Sequence, residues 1–259
     1  MVDRAAELQE KWEVERGQIW EIGRHRLMCG DSTSQAEVAR LLNGGTLQAL
    51  VTSPPYGVGM EYEGNAGQTE TLELAEKVFA VWCKPIVENG FVFVNFGDRW
   101  TWPLPMSSLY HRLFTALGLR WYDQRFWKRS HVALAIWNTT QPHAMSHIEH
   151  LYTFQKGTGA YPVNDLEISK EGLWEDEGSS AGVGHPAVMA SGVAGKAIRI
   201  YSQSGDSIGE PFIGSGTTMA VSEQTDRICY GMEIEPKYCA VTLERLSALG
   251  LTSKLVDNV

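Results

Sequence analysis

The chain has 259 residues and a net charge of −9, and 43% of its residues are hydrophobic. This composition is enough for one large domain with its own core, and it excludes an intrinsically disordered chain. No apolar stretch approaches the roughly 20 residues that span a bilayer, and the polar first residues exclude a secretory signal. The four cysteines form no CxxC pair, so we expect a reduced intracellular protein without structural zinc.

The charge is distributed unevenly along the chain. Between Gly97 and His131, six basic residues outnumber two acidic ones, so this segment carries a net charge of +4. A basic surface on an acidic body can bind a phosphate backbone, although a solvated surface of mixed charge explains these residues equally well. Within the segment, the candidate contacts to phosphate are Arg125, Lys128 and Arg129.

The first half of the chain alternates between helical and strand patterns. A charged segment, 1–16, contains a helical pattern over 2–15, and two short strands then surround a turn at Gly23 and end at Gly30. The apolar run 91–96 is typical of a buried strand in a parallel sheet. The other elements predicted here are a helix over 34–42, a strand over 47–51, a helix over 72–87 and a helix over 104–117.

The second half continues the alternation around one long polar stretch. Residues 157–184 are acidic and rich in Gly and Ser, which predicts a long loop or an insertion. Strand–helix alternation at both ends of the chain predicts an α/β fold. The elements predicted in this half are strands over 121–127, 148–154 and 227–232 and helices over 187–201, 218–224 and 236–249.

A stiff loop follows the strand predicted over 47–51, with the sequence Ser53-Pro54-Pro55-Tyr56. Each proline fixes its own φ angle and forces the preceding residue into an extended conformation. The loop therefore presents a hydroxyl, carbonyl oxygens and an aromatic ring in fixed directions. This set of groups is suited to holding a planar base that carries an amino group.

A second motif combines glycines with a distant acid. Gly214 and Gly216 precede a short helix, and Glu233 ends the next strand, nineteen residues after Gly214. This spacing is typical of a nucleotide-binding fold, in which the carboxylate holds ribose hydroxyls. The third glycine of a dinucleotide fingerprint is absent, and so is a P-loop. A nucleoside ligand without pyrophosphate fits best, and S-adenosylmethionine is the foremost candidate.

Together, the segments 52–56 and 210–218 resemble the catalytic and cofactor motifs of the DNA amino-methyltransferases, which modify cytosine N4 or adenine N6. The Pro-Pro motif comes before the glycine motif, which is similar to the β-group order, and the opening segment 17–32 looks like the start of many phage and prophage members. The resemblance implies a Rossmann-like, S-adenosylmethionine-dependent methyltransferase domain over 17–259, with a target-recognition region at 130–184. Other stretches that look like family segments, in the same order, are 17–32, 91–98, 127–128, 147–157 and 185–187.

The resemblance also implies residue roles. Glu233 would hold the cofactor ribose, Asp31 would contact its adenine, and the segment 185–187 would close over its methionine end. The base pocket would consist of Ser53, Pro54, Pro55 and Tyr56. The remaining cofactor contacts would come from Thr52, Glu210, Phe212, Gly214, Ser215, Gly216, Thr217 and Thr218. The family usually has Asp where this chain has Glu210.

The residues suggest a mechanism without a covalent enzyme intermediate. The hydroxyl of Ser53 and the carbonyl of Pro54 would accept hydrogen bonds from the exocyclic amine, so that its nitrogen becomes pyramidal and its lone pair attacks the methyl group in line. The base would leave the duplex and stack on Tyr56. Ser53, in place of the Asp of many adenine enzymes, favours cytosine N4 over adenine N6.

Two other readings remain open. A methyltransferase acting on RNA, protein or a small amine would share the fold, although the protein glutamine enzymes normally begin this loop with Asn rather than Ser53. A catalytically inactive binding protein is the other reading, and Glu210 with the weakly apolar strand before it supports it.

The expected partner is double-stranded DNA, and the β-group resemblance adds a homodimer. A bacterial, archaeal or phage-infected cytoplasm is the expected location, where the enzyme could belong to a restriction-modification pair. His143, His147 and His150 suggest a metal, but carboxylates and cysteines at ligand spacing are missing, so we expect none.

Overall fold

A computed structural model of the protein describes residues 4–55, 67–98, 102–129, 148–162, 165–175 and 189–257. The strands in these ranges are β1 (Ile19–Ile22), β2 (His25–Cys29), β3 (Leu47–Thr52), β4 (Ile86–Phe96), β5 (Leu119–Lys128), β6 (Ile148–Lys156), β7 (Leu173–Glu175), β8 (Ser207–Glu210), β9 (Ile228–Glu233) and β10 (Ser253–Asp257). The helices are α1 (Arg4–Trp12), α2 (Gln35–Leu42), α3 (Gln68–Trp82), α4 (Met106–Ala116), α5 (Leu166–Ser169), α6 (Ser191–Tyr201), α7 (Thr217–Gln224) and α8 (Pro236–Ala248).

All ten of these strands form one sheet, in the order β10-β1-β2-β9-β8-β3-β4-β6-β5-β7. The central strands β2, β9, β8, β3 and β4 run parallel. Helices α2, α3 and α4 cover one face, and α6, α7 and α8 cover the other, with α1 packed against α8. This three-layer arrangement confirms the predicted α/β fold and explains why β3 and the second half of β4 are apolar on both faces.

The structure corrects several predicted boundaries. The helix predicted over 72–87 ends at Trp82, and β4 begins at Ile86, because Pro85 lacks an N–H and disfavours helix in the residue before it. The stretch 157–184 contains α5 and β7, of which β7 extends the sheet beside β5. The strand β10 was not predicted; it pairs with β1 at the far edge.

Some predicted features lie outside the described residues. These are Tyr56, the segment 185–187 and most of the target-recognition region 130–184. Within the described ranges, none of the helices is long and apolar enough to cross a membrane.

Candidate active site

The parallel strands bring the predicted site residues to one edge of the sheet. Asp31 lies just after β2, Glu233 ends β9, Glu210 ends β8, and Ser53 follows β3. The chain leaves β8 through α7 on one face and leaves β3 through α3 on the other, so a crevice opens between the ends of these two strands. Ligands of open α/β sheets bind at such a switch point.

A cleft of about 260 Å³ occupies this crevice. It brings together residues from both predicted motifs, which are more than 150 positions apart in the chain. Thr52 is fully buried and Pro54 is buried as well, behind the cleft surface. The predicted residues that line the cleft are Asp31, Ser53, Pro55, Glu210, Phe212, Gly214, Ser215, Thr217, Thr218 and Glu233.

The glycine loop requires glycine at Gly216. This residue has φ +79° and precedes the first turn of α7, and a Cβ there would lie 2.7 Å from Cγ2 of Thr242. Thr242 also donates its hydroxyl to the carbonyl of Gly214, at 2.9 Å, which fixes the loop against α8. Gly216 therefore shapes the loop from behind the cleft.

Glu210 is a buried carboxylate, 2% exposed, that accepts hydrogen bonds from three directions. The backbone N–H of Phe212 donates to Oε1 at 3.0 Å, and the Thr218 hydroxyl donates to Oε2 at 2.9 Å. The Thr52 hydroxyl also donates to Oε1. Burial nonetheless raises the pKa of Glu210 to about 7, because the three donors only partly replace the lost water.

Glu233 is held by the backbone on both sides. Its Oε2 accepts from the N–H of Gly214 at 3.0 Å, and its Oε1 accepts from the N–H of Glu235 at 2.9 Å. Burial raises the pKa of Glu233 as well. The backbone N–H of Ile234 also interacts with this carboxylate, so of its roughly four acceptor positions at least one remains for a ligand hydroxyl.

Asp31 is fixed by a local turn rather than by a helix cap. Its Oδ1 accepts from both the N–H and the hydroxyl of Thr33, at 2.8 Å each, whereas Ser34 caps helix α2. The neighbouring Gly30 N–H donates to the carbonyl of Glu233, which joins the two acids across the edge of the sheet.

Ser53 is partly exposed at the cleft wall, and its hydroxyl donates to the main-chain carbonyl of Asn95 at 3.1 Å. Asn95, at the end of β4, is 1% exposed, and its side-chain amide donates to Glu149 at 2.9 Å. Glu149 in turn accepts from Arg129 at 3.1 Å. The proton of the Ser53 hydroxyl is thus directed to the Asn95 carbonyl, and the lone pairs of the hydroxyl oxygen are left to accept a ligand N–H.

Arg125 does not fit its predicted role as a phosphate contact. The residue is 6% exposed, and its side chain donates to the hydroxyl of Tyr201 and to the carbonyls of Ser169 and Glu171. Asp123 pairs with the same guanidinium. This arginine holds α5 and α6 against β5, and the prediction that it binds DNA is wrong.

Lys128 and Arg129, by contrast, have about half of their side-chain surface exposed. Because β5 is antiparallel to β6 and β6 is antiparallel to β4, β5 ends at the same sheet edge as β3. Lys128 pairs with Glu175 at 2.6 Å, and Arg129 pairs with Glu149. The Lys128–Glu175 pair is exposed on both sides, so it contributes little free energy and can be exchanged for a phosphate. The carboxylate of Glu149 is buried, so its pair with Arg129 costs more to break.

Sequence reasoning missed one wall of the cleft. This wall is formed by Leu74 and Val78 of α3, by Met189, by Tyr238 of α8 and by Glu235. Leu74 and Val78 fall in the helix predicted over 72–87, but a helical pattern alone does not show which of its apolar positions border a cavity.

The cleft is acidic. Four carboxylates line it, from Asp31, Glu210, Glu233 and Glu235, and no Lys or Arg is among its described lining residues. The buried hydroxyl of Ser215 has no hydrogen-bond partner within the described part of the chain. A polar ligand that carries positive charge would satisfy both features. The described residues contain no cluster of metal-ligating side chains.

The fold and the cleft define an α/β protein that binds a nucleoside-type ligand beside a Pro-Pro loop. The profile of the DNA methylase family, whose members modify N6 or N4 amines, matches residues 47–244. The chain therefore belongs to this DNA methylase family.

Individual relatives and solved structures agree with this assignment. The type II methyltransferase M.BglI of Bacillus subtilis is 31% identical, over 78% of this chain and 80% of its own length. M.SmaI of Serratia marcescens is 24% identical, over 85% of this chain and 90% of its own length. The cytosine-N4-specific PvuII DNA methyltransferase has a similar fold, with a TM-score of 0.71 at 17% identity over 91% of this chain and 95% of its own. TTHA0409 of Thermus thermophilus, in complex with S-adenosyl-L-methionine, also has a similar fold, with a TM-score of 0.63. It is 22% identical over 86% of this chain and 93% of its own.

Proposed function

We propose that the protein is a site-specific DNA methyltransferase that moves a methyl group from S-adenosylmethionine to N4 of a cytosine flipped out of the duplex. One observation carries the proposal: a single cleft is lined both by Ser53 of the Pro-Pro loop and by the acids Glu210 and Glu233 of the glycine motif. Cofactor-binding and base-binding groups therefore face one another across the crevice.

The cleft fits the cofactor in charge and in polar groups. Glu233 offers its remaining acceptor capacity to the ribose, and Asp31 accepts from the adenine amine through Oδ2, since both of its described bonds end on Oδ1. The Ser215 hydroxyl, which lines the cleft and has no hydrogen-bond partner among the described residues, would face the methionine part of the cofactor. S-adenosylmethionine supplies an electrophilic methyl group on a cationic sulfonium, and the acidic lining complements that charge.

The base side supplies acceptors for an amine. The Ser53 oxygen accepts one N–H of the exocyclic amine, because its own proton is given to Asn95. The resemblance assigns the second N–H to the main-chain carbonyl of Pro54, although Pro54 is buried and is not among the described residues that line the cleft. As these bonds form, the nitrogen lone pair turns toward the methyl group, and positioning provides much of the acceleration.

The thiols argue for nitrogen rather than carbon as the methylated atom. Methylation at carbon 5 of cytosine needs a thiolate nucleophile, and all four cysteines are buried. Burial raises the pKa of Cys83 to about 12 and raises those of Cys229 and Cys239 as well. These thiols are inert at neutral pH.

Several finer assignments belong to this proposal. Ser53 favours cytosine over adenine because it replaces the acidic residue of many adenine enzymes. Lys128 and Arg129 would bind DNA phosphates at the exposed end of β5, and Tyr56 would stack on the flipped base. A homodimer and a cytoplasmic location stay predictions.

The test is methyl transfer from isotope-labelled S-adenosylmethionine to duplex DNA, followed by digestion to nucleosides and mass spectrometry. We expect label in N4-methyl-2′-deoxycytidine from the wild type and labelling slower by roughly 10²-fold or more from Ser53→Ala. Ser247→Ala, an exposed serine on α8, is the matched control and should label DNA normally. Label only in N6-methyladenine would overturn the base assignment, and absence of label together with absence of cofactor binding by calorimetry would overturn the activity.

A further inference from the structure

The two loops of the cleft start from strands that separate. β3 and β8 pair in parallel through Ala49–Ile208 and Leu50–Gly209, and their ladder within the described residues ends there. Beyond these pairs, β3 leads into Ser53 and β8 leads into the glycine loop. The spacing between the two loops must therefore be set by something other than backbone pairing.

A side-chain bond spans this gap. The Thr52 hydroxyl, at the end of β3, donates to Oε1 of Glu210, at the end of β8. The other two donors to Glu210, the N–H of Phe212 and the hydroxyl of Thr218, belong to the glycine loop and its helix. Thr52 is thus the donor that comes from the opposite side of the crevice.

The contact is costly to bury and sensitive to geometry. Thr52, Glu210 and Thr218 are at most 3% exposed. A buried carboxylate is tolerated only when donors surround it, and an apolar side chain of the same shape would fill the position of Thr52 without that cost. Glu210 also reaches one methylene further than the Asp usual in the family. These features indicate that the bond serves a purpose besides packing.

We propose that the Thr52–Glu210 hydrogen bond is a positioning contact that sets the spacing between the catalytic loop and the cofactor loop during methyl transfer. In-line transfer needs the methyl group and the amine within about 3–3.5 Å, and a misplacement of about 1 Å costs roughly 10²-fold in rate. The proposal rests on the methyltransferase activity proposed above, but not on the choice of base.

Thr52→Val, which keeps the shape and removes the hydroxyl, tests the proposal. We expect kcat to fall roughly 10²-fold, while the Kd for S-adenosylmethionine, measured by calorimetry, changes less than about threefold because the cofactor groups stay in place. Thr52→Ser restores the donor and should recover most of the rate. Wild-type kcat in Thr52→Val would overturn the proposal, and so would a Thr52→Ser enzyme as slow as Thr52→Val.

Thr218→Val is the matched comparison, because it removes a donor to the same carboxylate from the glycine-loop side. We expect it to weaken cofactor binding more than it lowers kcat, the reverse of Thr52→Val. If both variants lose kcat and affinity in the same proportion, satisfying the carboxylate is what matters and the spacing role is refuted. An inert wild type would refute the proposed function instead. Should Thr52→Val fail to fold, Thr52→Ala, which also removes the donor, takes its place: we expect the same fall in kcat with little change in Kd, and wild-type kcat in this variant would refute the spacing role.

Discussion

The two sides of the cleft are built differently. On the cofactor side, Glu210 and Glu233 are each held by two or more hydrogen bonds, and Gly216 fixes the loop against α8. On the base side, Ser53 is partly exposed and makes one described side-chain bond, to Asn95. The cofactor side is pre-organised by a buried polar network, whereas the base side presents an acceptor ready for a ligand. Changes on the cofactor side should affect stability and cofactor binding, and changes on the base side should affect rate and DNA binding.

Gly216→Ala should have the largest effect on stability. The left-handed backbone costs about 1–2 kcal/mol for a residue with a Cβ, and the contact with Thr242 should add about 1–3 kcal/mol. Urea unfolding measures the sum. Gly205→Ala is the control, because its φ of +85° is similar and nothing lies within 4 Å of the added Cβ. Equal losses in the two variants would show that the cofactor loop is not tightly packed.

Glu210→Gln tests the buried network through pH. The folded-state pKa near 7 lies above the ordinary value of 4.5, so the folded state holds a proton that the unfolded chain has released. The stabilisation is full below about pH 4.5 and is lost as the pH rises to about 7. Urea unfolding should show the stability of the wild type relative to Glu210→Gln falling by about 3 kcal/mol over this range.

The control for this experiment is Glu73→Gln, on the exposed face of α3. This variant removes a carboxylate from the surface and is compared with the wild type at the same pH values. A stability difference between Glu210→Gln and the wild type that changes with pH no more than that of Glu73→Gln would mean that Glu210 is not desolvated.

Ser53→Ala tests the base side. The substitution removes an acceptor from the amine, so kcat should fall roughly 10²-fold or more, while the Kd for S-adenosylmethionine and the melting temperature stay close to those of the wild type. Single-turnover methylation with saturating cofactor measures the effect. A variant that keeps its rate but loses cofactor affinity would place Ser53 on the cofactor side.

Lys128→Gln should have the smallest effect, because its ion pair with Glu175 is exposed. Removing one phosphate contact should reduce the slope of log Kobs against log salt by about one and weaken binding to all duplexes alike. Titrations at several salt concentrations measure this slope. Arg112→Gln, an exposed arginine on α4, is the control. Identical slopes for Lys128→Gln and the wild type would remove Lys128 from the DNA-binding surface.

Local patterns were sufficient to predict most elements and the meeting of the two motifs. The apolar run in β4 and the spacing of Gly214 and Glu233 are local, and parallel strands bring their ends to one edge. Arg125 was misassigned because charge in a sequence does not show which side of a strand is covered, and here α5 and α6 cover it. The strand β10 was missed because it is short, half polar and defined by its pairing with β1.

The bond between Thr52 and Glu210 also lay beyond prediction, since it joins positions 158 residues apart through side chains. The motifs indicated that both residues belong to the site. Only the structure, in which the pairing of β3 with β8 stops before Thr52 and Glu210, shows that these two residues face one another across the crevice.

A crystal structure of the protein with S-adenosylmethionine tests the central claim most directly. The account predicts the adenine beside Asp31, the ribose on Glu233, and the sulfonium methyl group directed across the crevice toward Ser53. A cofactor bound elsewhere, or one whose methyl group points away from Ser53, would contradict it.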